Sequence, residues 1–199
     1  MRIAVTGASG VLGRGLAARL LSKGHDVVGI ARHRPDSWSS AADFIEADIR
    51  DAAAVNRAVT SADVVAHFAW THDTQERTGS QVNIAGTANV LAAMAETSAR
   101  RIVFPSSPHV YGGGDTPRSE AEAPAPSAAD AVQQARVEEM LVASGLESVT
   151  IRCALVVGRN VDNWVRRVLA LPPSPAGPSI APSSWCTSTT RCDYWSRRC

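Results

Sequence analysis

The chain has 199 residues, of which 45% are hydrophobic and 20% are charged, and its formal net charge at pH 7 is +1. Such a composition is too apolar for a fully disordered chain, and the near-zero net charge removes the usual electrostatic basis for binding nucleic acid or an anionic membrane. No apolar run approaches the roughly 18–20 residues that cross a bilayer, and the first residues lack the layout of a signal peptide. The four cysteines do not form a secreted disulfide scaffold. We therefore expect a soluble, cytoplasmic protein with no nucleic-acid or membrane partner.

Short β-branched runs alternate with helical patterns through residue 171, which predicts a parallel sheet with helices on both faces. The predicted strands are Arg2–Thr6, His25–Ala31, Phe44–Glu46, Asp63–Ala69, Arg101–Ser106 and Ser148–Cys153. The predicted helices are Val11–Lys23, Asp51–Thr60, Ser80–Ser98, Ala129–Ser144 and Val161–Leu171. Between the fifth strand and the helix at Ala129, the segment Gly112–Ser127 is rich in Gly, Pro and Ala and is predicted to be a loop.

A glycine-rich turn joins the first strand to the first helix, with the spacing Gly-x-x-Gly-x-x-Gly. In this position the first glycine allows a sharp turn, the second lets the backbone approach a diphosphate, and the third lets the helix pack on the sheet. The N–H groups at the start of the helix would then bind the phosphates. The alternative is a purely structural glycine turn. The predicted dinucleotide-binding residues of this turn are Gly7, Ala8, Ser9, Gly10, Val11, Leu12 and Gly13.

The end of the second strand indicates which dinucleotide is bound. Proteins that bind NAD usually have an acidic residue near Ala31, which accepts a hydrogen bond from the ribose 2′-hydroxyl, but the sequence there is Arg32, His33 and Arg34. The Arg32 guanidinium, with Arg34 in support, would pair well with a 2′-phosphate, so we expect NADP(H) in preference to NAD(H). The alternative is a solvated basic turn.

The residues after the third strand also belong to the predicted cofactor site. We expect Asp48 and Ile49 to meet the adenine, and Asp51 to cap the next helix.

These segments together resemble the extended short-chain dehydrogenase/reductase family, in particular its NAD-dependent epimerase/dehydratase branch. The matching segments are Thr6–Gly13, Asp48–Asp51, Asp63–Ala69, Asn83–Thr87, Ser106–Gly112 and Arg152–Gly158. The resemblance implies a doubly wound Rossmann-type α/β fold over residues 1–171, with the strand order 3-2-1-4-5-6. It also implies a nucleotide-sugar or small carbonyl or hydroxyl substrate, and a homodimer formed through the helices at about 80–98 and 129–144.

The resemblance further implies roles for individual residues. Phe68 and Ala69 would lie beside the dinucleotide, Asn83 would shape the site, and Ser107 would hydrogen-bond the reacting substrate oxygen. For His67 we favour a satisfied core position over a role in proton transfer. No metal site is expected.

The catalytic pair of the family, a tyrosine followed four residues later by a lysine, is missing. Two alignments of the helix place the pair at Ala131 and Ala135, or at Val132 and Arg136. The single lysine is Lys23, and the tyrosines are Tyr111 and Tyr194. Tyr111 is then the candidate substitute acid, although the family uses its segment structurally.

A hydrolytic triad of Ser107, His109 and Asp115 is disfavoured, because no nucleophile-elbow motif is present. Two hypotheses therefore stand. The chain is an atypical or impaired epimerase/dehydratase, or it is a non-catalytic dinucleotide-binding module, such as an NADP(H) sensor or a piece of a longer protein.

The composition changes after Gly177, where the periodic apolar pattern ends. A disordered tail is one interpretation, and a zinc site is another, but the spacing of Cys186, Cys192 and Cys199 fits no common zinc motif. We favour a frameshift near Ala176–Ser184. If G+C-rich codons are assumed for Trp185–Ser196 and the same nucleotides are translated from two bases later, they encode an amphipathic segment that resembles one found in the family. Residues 172–199 are thus expected to be an irregular tail, with the family's substrate domain absent.

Overall fold

A computed structural model describes residues 1–72, 80–114 and 116–157, together with Val161 and Arg167. The chain divides into two compact units, Met1–Asn160 and Val161–Cys199, and the fold given below is that of the first. The predicted helix Val161–Leu171 and the tail after it therefore lie outside the described residues, except for the two isolated positions. Asp115, the acid of the disfavoured triad, lies outside them as well.

Six parallel strands form one sheet in the order β3-β2-β1-β4-β5-β6. The strands are β1 Arg2–Thr6, β2 Asp26–Ala31, β3 Asp43–Glu46, β4 Val64–His67, β5 Arg101–Ser106 and β6 Glu147–Arg152. The α-helices within the described residues are α1 Val11–Ser22, α2 Ala52–Val59, α3 Gly86–Ala95 and α4 Ala129–Ala143. This is the doubly wound Rossmann-type order, which confirms the fold expected from the sequence.

Apolar side chains on both faces of the sheet hold the helices. Ala4, on β1, belongs to a core that includes residues of α2, α3 and α4, whereas Ile3 and Val5 belong to a second core with α1. Both faces of β1 are therefore buried, as expected of a central parallel strand whose sequence is continuously apolar. The topology reverses between β1 and β4, and the carboxyl ends of these strands open onto the crevice where such sheets bind ligands.

Local signals explain where the helices begin. The Asp51 side chain accepts a hydrogen bond from the Ala54 N–H at 3.1 Å, so Asp51 is the predicted N-cap of α2. The predicted helix Ser80–Ser98 differs from expectation, because it starts as a π-helical turn, Ser80–Ala85, before α3.

In the described residues, no helix is both long enough and apolar enough to cross a membrane.

Candidate functional site

A cavity of about 370 Å³ lies at the carboxyl ends of β1, β2, β3 and β4. A volume of this size lies in the lower part of the range typical of small-molecule sites. Its lining residues are Gly7, Ser9, Gly10, Ile30, Ala31, Arg32, Ala47, Asp48, Ile49, Arg50, Phe68, Ala69, Trp70, Thr71 and Val82. The structure thus brings together eight of the predicted cofactor residues, namely Gly7, Ser9, Gly10, Arg32, Asp48, Ile49, Phe68 and Ala69.

The glycine turn is packed so closely against β4 that a side chain would not fit. Gly7 has φ +65°, and a Cβ there would lie 2.5 Å from the carbonyl atoms of Phe68. A Cβ at Gly13 would overlap the Gly7 oxygen, and the Gly10 N–H donates to that same oxygen at 2.9 Å. Glycines are therefore needed at the first and third positions for steric reasons, in addition to any role in binding.

The first turn of α1 leaves backbone donors available. Its N-cap is Gly10, which provides no side-chain cap, and the turn contains no acidic residue. The N–H groups at the start of a helix have no partner within the helix, and the helix dipole makes this end partially positive. Val11 and Leu12 are partly exposed there, while Ala8 is fully buried beneath the turn. This arrangement suits a diphosphate.

A hydrogen-bond chain holds the end of β4 against β1. Thr6 Oγ1 accepts from the N–H groups of Phe68 and Ala69 at 3.0 and 3.1 Å, and it lies 2.8 Å from His67 Nδ1. The other imidazole nitrogen lies 2.9 Å from Thr87 Oγ1. Burial lowers the pKa of His67 from 6.5 to about 4, since the core disfavours the charged ring. His67 is therefore the satisfied core histidine that the sequence favoured.

The charged groups of the cavity are Arg32, Asp48 and Arg50. The Arg50 guanidinium pairs with both oxygens of Asp48 at 2.9 Å. Hydrogen bonding from Arg50 is the main cause of the lowered pKa of Asp48, and the positive charge of Arg32 also lowers it. Arg32 itself is exposed and forms no ion pair with the described residues. The cavity therefore carries an excess of positive charge beside β2.

Trp70 forms the boundary of the cavity toward α4. Its indole Nε1 donates to Asp130 Oδ1 at 2.9 Å, and its ring packs on Phe104 with centroids 5.8 Å apart. Asn83 is 1% exposed, is not a lining residue, and joins Thr71 to Gln133 through its amide. Asn83 thus positions the segment after β4.

The predicted catalytic residues Ser107 and Tyr111 are not among the residues that line the cavity. Ser107 Oγ lies 3.0 Å from His109 Nδ1 and also accepts from the His109 N–H at 3.2 Å. The Tyr111 hydroxyl accepts from Arg152, whose guanidinium also lies over the tyrosine ring. Two oxygens of Glu138 accept from the same guanidinium. Tyr111 is thereby part of a structural cluster.

The two positions expected for the catalytic tyrosine differ in their exposure. Ala131 is 2% exposed, with Ala135 at 7%, whereas Val132 is 49% exposed and Arg136 forms an ion pair with Glu139. In neither alignment does α4 present an acid–base pair. Across the part of the chain that the structure describes, no group of three His, Cys, Asp or Glu side chains could hold a metal ion.

Some residues that line the cavity were not expected from the sequence. The four that bear on its charge and shape are Arg50, Trp70, Thr71 and Val82. Arg50 follows Asp48 by two residues, and two opposite charges at this spacing in a turn could have predicted that the side chains pair. For the others, only the folded arrangement of the segments after β4 shows their position.

Comparisons with known proteins agree with this fold. The model of the NAD dependent epimerase/dehydratase family matches residues 3–171. An uncharacterised protein of Mycobacterium tuberculosis (strain ATCC 25618 / H37Rv) is 60% identical over 177 residues, which are 89% of this chain and 17% of that protein. A 2-alkyl-3-oxoalkanoate reductase of Stenotrophomonas maltophilia (strain K279a) is 31% identical over 185 residues, 84% of this chain and 54% of the reductase.

Among solved structures, the UDP-glucose 4-epimerase of Thermus thermophilus in complex with NAD superposes with a TM-score of 0.69. Its sequence is 25% identical, and the match covers 76% of this chain and 54% of the epimerase. The chain thus spans a minor part of the mycobacterial protein and about half of the other two.

Proposed function

Because the chain belongs to the NAD-dependent epimerase/dehydratase family, we propose that it binds a nicotinamide dinucleotide at the glycine turn and does not turn over a sugar nucleotide. The observation that supports binding is the cavity itself, where the turn Gly7–Gly10 faces the charged groups after β2 and β3. The N–H groups at the start of α1 would hold the diphosphate. The dinucleotide-binding domain in this proposal comprises residues 1–171.

We propose NADP(H) as the preferred dinucleotide. The support is Arg32, which lines the cavity directly after β2 while Asp48 is already paired with Arg50. A guanidinium at this place that pairs with no carboxylate of the described residues would favour a 2′-phosphate over a 2′-hydroxyl, because it supplies charge-assisted hydrogen bonds to the phosphate oxygens.

The absence of turnover is proposed from the chemistry of α4. The family reaction needs an acid–base group with a pKa near the working pH, and an unperturbed phenol titrates at about 10. The single lysine of the chain, Lys23, lies directly after α1, and Tyr111 is held by Arg152. In this proposal the domain is a binding module or an NADP(H) sensor within a longer protein.

A second candidate function is a reductase or epimerase that uses atypical groups. It is favoured by Ser107, which follows β5 where the family binds the substrate oxygen, and by the His109 imidazole 3.0 Å from its hydroxyl. The solved epimerase suggests a nucleotide-sugar substrate for this function, and the bacterial reductase suggests a 3-oxo acid.

Calorimetric titration of the purified chain with NADP⁺, NADPH and NAD⁺, followed by turnover assays with UDP-glucose and a 2-alkyl-3-oxoalkanoate, tests both candidates. The first candidate requires binding, tighter for NADP⁺, without exchange of hydride with either substrate. Substrate-dependent oxidation or reduction of the nicotinamide would favour the second. Absence of binding to all three dinucleotides would overturn both.

A further inference from the structure

A doubly wound sheet of this type contains two mononucleotide-binding halves, β1 to β3 and β4 to β6, and a dinucleotide lies across the boundary between them. The cavity in this chain is lined from the glycine turn and the ends of β2, β3 and β4, with Val82 from the π-helical turn. Among the described residues, neither β5, β6 nor α4 contributes to its lining. The cavity therefore covers one half of the crevice.

We infer that Trp70 closes the crevice at the end of β4, so that the site holds the adenosine 2′-phosphate diphosphate portion of a nucleotide and does not enclose a nicotinamide. This inference rests on the proposed function and narrows it. The ligand class becomes adenosine nucleotides that carry a phosphate on the ribose and a 5′-diphosphate.

The Trp70 indole is held in place from two directions. Its N–H donates to Asp130 at the start of α4, and its ring packs against Phe104, a β5 residue that is 1% exposed. Rotating the indole away would break its hydrogen bond to Asp130 and would remove the aromatic contact with Phe104. These two contacts therefore fix the position of the indole ring at the boundary of the cavity.

Thr71, the residue after Trp70, is also held in place by hydrogen bonds. Both backbone polar groups of Thr71 bond to the Asn83 amide at 2.9 Å, and the same amide donates to Gln133 on α4 at 2.7 Å. The segment after β4 is therefore tied to α4 through Asp130 and Gln133. These residues flank Ala131, one of the positions where the family resemblance places the tyrosine, and Ala131 is 2% exposed.

A second cavity, of about 490 Å³, lies at β6 and does not continue the first. Its lining residues are Glu120, Thr150, Ile151 and Arg152, and none of them lines the first cavity. Trp70 is a lining residue of the first cavity and not of the second.

A ligand-truncation series on the unaltered chain tests the inference without any substitution. We expect NADP⁺ and 2′-phospho-ADP-ribose to bind with dissociation constants within about threefold of each other, because the nicotinamide adds little contact area. Nicotinamide mononucleotide alone should give no measurable heat. A loss of more than about tenfold on removing the nicotinamide would overturn the inference while leaving the proposed function intact. Failure of every adenosine nucleotide to bind would overturn both.

Two variants test the role of the indole. Trp70→Ala should open the crevice and favour NADP⁺ over 2′-phospho-ADP-ribose by about fivefold or more. Trp70→Phe loses the hydrogen bond to Asp130 but can keep the packing on Phe104, so it should shift the ratio in the same direction by less than Trp70→Ala does. If Trp70→Ala does not fold, Asp130→Ala removes the anchor of the indole and is expected to shift the ratio in the same direction. An unchanged ratio in the folded variants would show that Trp70 is not the barrier.

Discussion

Arg50 pairs side-on with Asp48, its Nε and one terminal nitrogen each 2.9 Å from a carboxylate oxygen. This pair neutralises the single carboxylate among the cavity residues and leaves Arg32 as the excess charge beside β2. Because neighbouring charges influence which anion a site accepts, this arrangement is consistent with the proposed preference for a 2′-phosphate beside β2.

Replacing Arg32 should change the choice of dinucleotide. We expect Arg32→Asp to weaken NADP⁺ binding by about 10- to 100-fold, since a hydrogen-bonded charge pair contributes about 1.5–3 kcal/mol, and to leave NAD⁺ binding little changed. Calorimetry with both dinucleotides measures this ratio. Arg34→Asp is the matched control, because Arg34 does not line the cavity. A ratio that is the same in all three proteins would contradict the role of Arg32.

The glycine turn should tolerate no side chain. We expect Gly7→Ala to abolish nucleotide binding and to lower the free energy of unfolding by about 1–3 kcal/mol, because its φ is +65° and its Cβ would meet the Phe68 carbonyl. Gly15→Ala, in the middle of α1, has open space around its Cβ. That control should bind normally and gain about 0.4–1 kcal/mol of stability. Chemical denaturation and calorimetry distinguish the two.

His67 should make stability fall in mildly acidic solution. Its pKa is lowered from 6.5 to about 4 by burial, so between these values the unfolded chain binds a proton that the folded chain does not. Stability is therefore complete above about pH 6.5 and is lost progressively as the pH falls toward about 4, by up to about 3 kcal/mol.

Urea denaturation at a series of pH values measures this loss. His67→Gln should flatten the slope between about pH 7 and 5, whereas His33→Gln, at an exposed position, should retain it. Equal slopes in both variants would show that another group causes the pH dependence.

Two adjacent glutamates on α4 should differ strongly in their contribution to stability. Glu138 pairs with Arg152, and these two side chains are 10% and 21% exposed. Glu139 pairs with Arg136, and these two side chains are 66% and 63% exposed. We expect Glu138→Gln to cost about 2–4 kcal/mol, because it leaves a largely buried guanidinium without its counter-charge. Glu139→Gln should cost less than about 0.5 kcal/mol. Thermal and chemical denaturation measure both, and equal losses would refute the distinction.

The fold could be predicted because its signals are local and repeated. The six strands, their order and the Asp51 cap all follow from apolar runs, turn residues and the resemblance of the segments. The glycine turn likewise specifies its own geometry, since a positive φ at Gly7 requires a residue without Cβ.

The end of the site beside α4 could not be predicted in this way. The indole of Trp70 meets Asp130 across 60 positions of sequence, and Asn83 meets Gln133 across 50. Neither contact has a local signal, because a tryptophan after a buried strand and an amide in a helix are compatible with many environments. The π-helical turn Ser80–Ala85 also has no sequence signature of its own, so a continuous α-helix was the simpler expectation.

The hydrogen-bond chain from Thr6 through His67 to Thr87 fixes the tautomer of the imidazole. Thr6 Oγ1 already accepts two backbone hydrogen bonds, from Phe68 and Ala69, so its own proton is directed at His67 Nδ1. At the opposite nitrogen, Thr87 gives its proton to the Asn83 carbonyl and therefore accepts from the ring. Both ends select the same tautomer, with the imidazole proton on Nε2, and a single slowly exchanging ring proton should appear in the NMR spectrum.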